Sequence, residues 1–225
     1  MFKSQLLGQA FSLLVAAFLA VPCFAQGQGA LIFKDNFDTA DSFKENWGLA
    51  EGIPNIKWED GKVLISPSGV IQMKSDTPLN FCAEMELTFL DKNNPNGNSR
   101  VGFVIDGKYF MIMPEGKAFL FGYKAIPDFE TGKPVKMTLS RTCSKNGAEY
   151  VFKANGMEVT KMNSELPKEI QKALAEAGAE AELGKLTVKS SPLMIFANGA
   201  NVSVDNFQLY LVKSAEASAS SAVGR

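Results

Sequence analysis

Two carboxylates with a spacing that suits acid–base chemistry lie near the middle of the chain. Glu84 and Glu86 belong to segment 81–89, which reads FCAEMELTF and alternates apolar with polar residues. In a β-strand, alternate residues point to the same face and lie about 6.5–7 Å apart along the backbone. Flexible side chains at that spacing can approach the roughly 5–5.5 Å of a carboxylate pair that cleaves glycosidic bonds with retention. The alternative is that both glutamates form the solvated face of an amphipathic strand.

The sequence contains no histidine. It therefore excludes Ser–His–acid triads, Cys–His pairs and histidine-ligated zinc or iron. Any catalysis by this chain must use carboxylates, lysine, tyrosine, arginine or an oxygen-bound metal.

Residues 1–25 have the organisation of a secretory signal peptide. A positive start is followed by an almost wholly apolar run over 6–21, and Cys23 and Ala25 place small side chains three and one residues before a cut. We therefore expect an exported protein, either periplasmic or extracellular. A lipoprotein anchor at Cys23 is the alternative, which Pro22 disfavours because a small residue is needed before the cysteine.

Cleavage after residue 25 leaves 200 residues with 22 basic and 24 acidic side chains, because the removed segment carries one lysine and no acid. This near-balance argues against nucleic acid or anionic lipid as a partner, since both require concentrated Lys and Arg. No later segment reaches the roughly 18 apolar residues of a membrane-spanning helix. The length suits one all-β domain with its own core.

Two cysteines remain after that cut, Cys82 and Cys143. In an oxidising compartment a disulfide between them is the default expectation. It would close a loop of about 60 residues and contribute roughly 4 kcal/mol in the chain-entropy model. Strand parity opposes the bridge, because Cys82 shares the face of Glu84. Cys143 instead shares the face of Leu139, so the choice is between a bridge through a bulge near Arg141 and two separate thiols.

Short alternating segments separated by tight turns fill the chain after the signal peptide. The dipeptides Asp60-Gly61, Asp106-Gly107 and Asn155-Gly156 favour hairpins, because these residue types tolerate positive φ. Roughly a dozen such segments, with turns about every 8–12 residues, predict an all-β, two-sheet antiparallel β-sandwich or jelly roll over 26–213. Met85 and Phe103 are expected between the two sheets.

One segment breaks this alternation. Ser164 can cap a helix with Pro167 in its first turn, and apolar residues recur at helical spacing over 166–177. We expect a helical insertion at about 164–182 that packs on the edge of the sandwich. Residues 214–225 are rich in Ala and Ser and predict a disordered tail.

Three short motifs, taken in order, form a recognisable pattern. They are FKDNFD at 33–38, FCAEMELTF followed by GNSRVGF within 81–103, and VSVDNFQL at 202–209. This order resembles the concanavalin A-like lectin/glucanase superfamily of jelly rolls. Within it, the chain looks most similar to the bacterial 3-keto-disaccharide hydrolase-like domains, and the resemblance covers about 27–212.

The resemblance implies a structural calcium ion held by acidic residues near the first and last strands. The matching positions are Asp35 or Asp38, together with Asp205, and carboxylates are ligands that calcium prefers. The alternative is that these are ordinary turn and strand-end acids. Independently of any metal, we expect Asp205-Asn206 to form a β-bulge, because the apolar residues before and after it must share an inward face.

The resemblance also bears on the glutamate pair. Some glucanases of the superfamily carry an E-x-D-x-E strand with three acids on one face. Here Glu84 and Glu86 match in part, but the middle acid is Glu rather than Asp, and Thr88 stands in the third place. These departures weaken the implied catalytic role.

A sugar site needs aromatic faces for the C–H groups of the ligand and planar polar groups for its hydroxyls. The candidates for such contacts are Arg100, Trp58, Tyr109 and Tyr123. The alternative for Trp58, as for Trp47, is a place in the core.

These observations predict an exported carbohydrate-binding jelly-roll module of the cell envelope. One alternative is a glycoside hydrolase that uses Glu84 and Glu86. Another is an envelope structural or adhesion protein, for which the Ala/Ser-rich tail and the helical insertion are the cues. The expected partner is a glycan, and calcium is the single cofactor that the resemblance implies.

Overall fold

A computed structural model describes residues 29–49, 55–92, 97–119, 123–144, 147–164 and 189–212, together with Lys172 and Glu176. Lys172 and Glu176 are helical, and within the continuous ranges the chain forms fifteen strands and a short helix. In chain order they are β1 (Ala30–Asp35), α1 (Ala40–Asn46), β2 (Trp47–Leu49), β3 (Ile56–Glu59), β4 (Lys62–Ile65), β5 (Gly69–Met73), β6 (Phe81–Phe89), β7 (Arg100–Ile105), β8 (Lys108–Met113), β9 (Lys117–Phe119), β10 (Tyr123–Ala125), β11 (Pro134–Ser144), β12 (Gly147–Ala154), β13 (Met157–Asn163), β14 (Met194–Asn198) and β15 (Val202–Leu211).

The strands form two antiparallel sheets. The larger sheet has eight strands in the order β13-β12-β11-β6-β15-β4-β3, with β1 also paired to β15. The smaller sheet has seven strands in the order β10-β9-β8-β7-β14-β5-β2. The predicted all-β, two-sheet sandwich is therefore confirmed.

The core lies between the sheets and is built by alternation along the strands. Met85 of the larger sheet is 1% exposed and Phe103 of the smaller sheet is 0% exposed, as the alternating pattern predicts. Phe103 meets Phe152 edge-on across the sandwich, with ring centroids 6.3 Å apart. At the other end Trp47 packs edge-on against Phe207 at 5.0 Å, so aromatic contacts join the two layers at both places.

The predicted hairpin turns are present. Asp60, Asp106 and Asn155 have φ angles of 49°, 52° and 46°, and the glycine after each also has positive φ. These turns join β3 to β4, β7 to β8 and β12 to β13. Asp and Asn tolerate the left-handed region better than other residues with side chains, which is why these dipeptides fix the hairpins.

The expected disulfide is absent, and Cys82 and Cys143 are both free thiols. Cys82 lies opposite Ser140 in the β6–β11 register, whereas Cys143 lies three residues further along β11. Cys143 packs against the core, while Cys82 shares the outward face of Glu84. The pairing fails because β11 runs without a bulge through residues 134–144, so the two sulfurs stay on opposite faces of one sheet.

Helix α1 was not predicted from the sequence. The Thr39 side chain caps it by accepting a hydrogen bond from the Ser42 amide at 3.1 Å. Phe43 is the buried residue of its seven. A helix this short shows too little periodicity to be recognised beside strands.

Several expectations concern residues outside the described ranges. These are the signal peptide at 1–25, the tail at 214–225 and most of the helical insertion at 164–182. Within that insertion, Lys172 and Glu176 are helical and form an ion pair at 3.7 Å. Among the described residues, no helix is both long enough and apolar enough to cross a bilayer.

Candidate functional site

Glu84 and Glu86 lie together on the face of the larger sheet that points away from the core. Their alternation partners on β6 are buried inward residues, so the predicted shared face is confirmed. The neighbouring strands β11 and β15 complete this patch, which we call the β6 face. In it Glu84 lies between Thr138 and Gln208, and Glu86 lies between Lys136 and Asp205.

Glu84 is a nearly buried carboxylate with one satisfied oxygen. Its side chain is 8% exposed, and its Oε2 atom accepts from the Lys136 ammonium at 2.8 Å. Its Oε1 atom is buried and has no hydrogen-bond partner. A buried oxygen without a donor is costly, because it has lost its water and gained nothing in return. Glu84 therefore keeps an acceptor site for a group that donates a hydrogen bond.

Glu86 is held by a distortion of the neighbouring strand. The β6–β15 register shifts between Asp205 and Gln208, which confirms the expected bulge. Within the bulge Asn206 has a φ of 50° and donates from Nδ2 to Glu86 Oε2 at 2.8 Å. Bulges of this kind re-aim side chains and are common beside functional sites. Glu86 thus has a fixed position, with acceptor capacity left on a carboxylate that offers about four lone-pair sites.

The outward face of the smaller sheet has a different chemistry. Tyr109 is 55% exposed and meets Phe196 edge-on, with centroids 5.4 Å apart and rings at 89°. Met111 and Met194 are half-buried and share this face, which we call the β8 face: Tyr109, Met111, Met194 and Phe196. It is an apolar platform whose most accessible member is an aromatic ring.

Gly102 lies at the centre of the β8 face. It pairs with Met111 on one side and with Phe196 on the other, so no side chain rises between them. A Cβ atom placed on Gly102 would lie 1.8 Å from the Phe110 carbonyl oxygen. The close approach of β8 to β7 therefore requires glycine at this position.

None of the seven strands of the smaller sheet carries an Asp or Glu residue. The larger sheet, in contrast, carries Glu84, Glu86 and Asp205 on its outward face. Cleavage of a glycosidic bond by paired carboxylates requires two acids on one side of the ligand. Of the two outward faces, the β6 face carries such a carboxylate pair on its described strands, whereas the described strands of the β8 face offer an apolar surface without one.

The structure separates the residues that the sequence singled out. Arg100 and Tyr109 both belong to the smaller sheet, where Arg100 pairs with Asn198 in register. Trp58 is in β3 of the larger sheet, packs against the core and donates from its indole nitrogen to the Phe37 carbonyl oxygen. The backbone of Tyr123 is in β10, and its side chain is outside the described structure. The aromatic candidates and the glutamate pair thus do not form one site.

The three acids proposed for calcium are not brought together. Asp35 is 3% exposed, and it accepts hydrogen bonds from the Phe37 amide at 2.8 Å and the Trp47 indole at 3.1 Å. Asp38 is exposed, and Asp205 pairs with Glu86 on the outward face of the larger sheet. Within the described part of the chain, no three His, Cys, Asp or Glu side chains are grouped so that they could hold a metal ion. These residues do not fit a shared calcium site, and calcium binding here stays a prediction.

A buried polar network that the sequence did not reveal lies where the β7–β8 turn meets the larger sheet. Arg141 is 0% exposed and donates to Asp106 Oδ2 at 2.7 Å. Tyr150 donates to the same oxygen at 2.6 Å, and Ser191 donates to Oδ1 at 2.7 Å. The sequence signal for this network was an arginine at an inward position of β11. Its acidic partner could not be identified from the sequence, because Asp106 is 35 residues away and belongs to a turn of the other sheet.

This network moves the pKa values of its members in ways that favour the charged pair. Burial raises the pKa of Asp106, but the hydrogen bonds from Tyr150, Ser191 and Arg141 and the charge of Arg141 outweigh burial, so the pKa lies below its usual value. Burial and the hydrogen bond to Asp106 raise the pKa of Tyr150. The network is therefore a structural tie between the sheets, with an ionised Asp106 and a neutral Tyr150.

Comparisons with known proteins identify the fold. No protein-family model and no curated protein matches the chain. Among solved structures, an endo-1,3-β-glucanase from Streptomyces sioyaensis has a TM-score of 0.57 at 12% identity, over 83% of this chain and 98% of that one. An endo-acting O-glycanase from the human gut microbiota has a TM-score of 0.53 at 13% identity, over 82% and 100%.

A transglycosylase, Crh5 in complex with NAG, has a TM-score of 0.51 at 9% identity, over 84% of this chain and 88% of that one. Identities this low establish a shared fold and leave the activity of this chain to its own residues. The closer similarity to 3-keto-disaccharide hydrolase-like domains stays a prediction. The order of the strands, the two sheets and these structural matches together show that the chain shares the two-sheet jelly-roll fold of the glucanase and the O-glycanase.

Proposed function

We propose that this protein is an exported carbohydrate-binding module and that the β8 face is where the glycan docks. Export is supported by the organisation of residues 1–25. Binding of carbohydrate is supported by the fold, which this chain shares with proteins described as a glucanase and an O-glycanase. Tyr109 supports the position of the site on the molecule.

Tyr109 is the observation that carries this proposal. Its ring is 55% exposed, yet the edge-on contact with Phe196 at 5.4 Å fixes its orientation. A ring held in this way loses little conformational freedom when a ligand stacks on it. The apolar C–H face of a sugar ring is a suitable partner for an exposed aromatic surface.

Polar side chains stand at the borders of the same face. Arg100 pairs in register with Asn198, and Gln72 pairs with Met194. Guanidinium and carboxamide groups offer planar sets of donors and acceptors for sugar hydroxyls. Since the strands of this sheet carry no Asp or Glu, the face supports binding without a carboxylate pair.

The test is the affinity of the mature protein for a panel of β-1,3-glucan, β-1,4-glucan and mucin-type oligosaccharides by calorimetry. We expect Tyr109→Ala to weaken binding about tenfold, because an aromatic contact contributes about 1.5 kcal/mol. Leu31→Ala is the matched control, since Leu31 is 51% exposed but lies on the larger sheet. Absence of binding to the whole panel, or unchanged affinity in Tyr109→Ala, would contradict the proposal.

A hydrolase is the second candidate, and the position of Glu84 and Glu86 on one face favours it. The test measures release of reducing ends from the same oligosaccharides by the wild type, Glu84→Gln and Glu86→Gln. If this pair is catalytic, each single variant loses nearly all turnover while Tyr109→Ala retains it. Turnover that survives in both glutamine variants removes the pair from the mechanism.

A further inference from the structure

The β6 face contains a carboxylate, Glu84, that takes no part in the glycan binding proposed for the β8 face of the other sheet. Glu84 is 6% exposed as a residue, and its Oε1 atom is buried without a hydrogen-bond partner. Folding has removed this oxygen from water, and the protein supplies no donor in exchange. The one ion pair of Glu84 uses the other oxygen, where the Lys136 ammonium lies at 2.8 Å. Lys136 is half-exposed, so it is the part of this cluster that an incoming molecule can displace.

A bulge in β15 and the Asn206 side chain determine the surroundings of Glu84. The bulge in β15 puts Asn206 at a φ of 50°, in the left-handed region that asparagine tolerates better than most residues with side chains. The Asn206 amide then holds Glu86 at 2.8 Å beside Glu84. A β-bulge that re-aims a side chain toward a neighbouring carboxylate is common beside functional sites.

The charges around Glu84 are balanced. Three acids, Glu84, Glu86 and Asp205, lie on this part of the sheet together with three lysines. Lys136 on β11 lies opposite Glu86, and Lys153 on β12 and Lys34 on β1 lie in register with Glu84, each one strand beyond its direct neighbours. A balanced field gives neither an anion nor a cation an advantage. The ligand that fits is neutral and both donates and accepts hydrogen bonds.

We propose that the β6 face is a second ligand site, centred on Glu84, for a neutral molecule with adjacent hydroxyl groups, such as an uncharged saccharide. One hydroxyl donates to Glu84 Oε1, and the hydroxyl beside it accepts from the Lys136 ammonium. Glu86, fixed by Asn206, accepts a further hydroxyl proton. The site lies on the opposite side of the core from the β8 face, so a single ligand cannot satisfy both.

The experiment follows backbone amide shifts by NMR in the isotope-labelled mature protein during titration with neutral, cationic and anionic probes. The neutral probes are laminaripentaose and cellopentaose, the cationic probe is a glucosamine oligomer, and the anionic probe is a galacturonate oligomer. We expect the neutral probes to shift amides of β6, β11 and β15. We expect these shifts to persist in Tyr109→Ala and to disappear in Glu84→Met, with at least tenfold weaker affinity.

Glu84→Met separates a ligand role from a structural one. Glu84→Met removes the buried charge of the pair, and the half-exposed Lys136 keeps its own charge in water, so no uncompensated buried charge remains. We therefore expect the thermal midpoint of this variant to stay close to that of the wild type. Glu149→Met is the matched control, because Glu149 forms the exposed pair with Lys161 at 2.9 Å on the same sheet. This control is expected to keep the β6-face shifts.

The outcomes distinguish this inference from the proposed function. Changes in amide chemical shift that are confined to β7, β8 and β14 support glycan binding at the β8 face and overturn the second site. Shifts on β6, β11 and β15 that survive Glu84→Met also overturn it, as does stronger binding of either charged probe. Shifts that vanish in Glu84→Met but persist in Tyr109→Ala support the second site, whatever happens on the β8 face.

Discussion

Asp106 shows how much one residue contributes to joining the two layers of this molecule. It sits in the β7–β8 turn of the smaller sheet, and its oxygens accept from Arg141 and Tyr150 of the larger sheet and from Ser191. Other Arg141 donors reach the carbonyl oxygens of Leu79 at 3.0 Å and of Pro78 at 2.7 Å and the hydroxyl of Thr77 at 3.3 Å. Since Arg141 is fully buried, its charge depends on Asp106 for compensation.

We predict that Asp106→Asn lowers the free energy of unfolding by about 3 kcal/mol at pH 7, because it leaves the buried Arg141 charge without its partner. Asn retains the positive φ of the turn, so the backbone is not the cause of the loss. Urea unfolding followed by circular dichroism measures the difference. The matched control is Asp60→Asn, in a turn of the same type with an exposed side chain, which is expected to change stability by less than about 0.5 kcal/mol.

The difference in stability between the wild type and Asp106→Asn should also depend on pH. The folded-state pKa of Asp106 lies below its ordinary value of 3.8. Its contribution is therefore fully present above the unfolded-state pKa and is lost as the pH falls through the lower folded-state pKa. The stability difference between wild type and Asp106→Asn should shrink below about pH 4. A difference that stays constant from pH 7 down to that range would contradict an ionised Asp106 in the network.

At the scale of elements, the contact between β7 and β8 depends on the absence of a side chain. Gly102 faces the β8 backbone so closely that a Cβ would lie 1.8 Å from the Phe110 oxygen and 2.8 Å from the Met111 Cα. Neither atom can rotate away, because both belong to the main chain. The platform that carries Tyr109 is thus set by a backbone contact rather than by the packing of its own side chains.

We predict that Gly102→Ala lowers the free energy of unfolding by about 2 kcal/mol, the cost of shifting a strand to admit a methyl group. Gly48→Ala is the control within the same sheet, since the nearest atom to its Cβ would be the Gln72 oxygen at an ordinary 3.8 Å. That change is expected to stay within about 0.5 kcal/mol. Equal effects of the two substitutions on the urea midpoint would refute the steric argument.

The sequence predicts those elements whose determinants are local. Alternation from Phe81 to Phe89 and the Asp-Gly turns set β6 and the hairpins without reference to distant residues. The bulge near Asp205 was also predictable, because parity has to be restored within one strand. Contacts between distant segments could not be predicted in this way, because Arg141 contacts Asp106 only when the two sheets are stacked.

The candidate site illustrates the same limit. The shared face of Glu84 and Glu86 follows from their spacing, but the separation of this pair from Tyr109 follows from strand order, which alternation does not encode. The expected disulfide was wrong for a related reason. Oxidising surroundings favour a bridge, yet the register of β6 with β11 keeps the sulfurs of Cys82 and Cys143 on opposite faces.

The described part of the molecule is a sandwich whose two outward faces differ in chemistry and whose layers are joined by noncovalent contacts. The β8 face is apolar and aromatic, and the β6 face has balanced charges around a buried carboxylate. The core between them excludes contact from one face to the other. Aromatic pairs and the Asp106 network connect the layers where a covalent link is absent from the described structure.

We predict that a reducing agent leaves the thermal midpoint of the mature protein unchanged. A disulfide across a loop of about 60 residues would contribute roughly 4 kcal/mol, and its reduction would lower the midpoint by several degrees. In denaturant without reductant, iodoacetamide should modify both Cys82 and Cys143, as mass spectrometry of the peptides would show. A fall in the midpoint on reduction, or protection of both thiols from alkylation, would contradict the free-thiol state.

In the native state the two thiols should react slowly at pH 7. Burial raises the pKa of Cys82 to about 12, and the charge of Glu84 adds to this effect. Burial also raises the pKa of Cys143. The reactive thiolate is therefore scarce at both positions.

The pairing of β1 with β15 sets Ala30 directly opposite Leu211. The polypeptide therefore enters and leaves the domain at neighbouring points on one border of the larger sheet. A neighbouring domain or a surface that is linked at Ala30 or at Leu211 would thus be attached at the same border of the larger sheet. A circularly permuted version therefore needs only a short new loop to join these two positions.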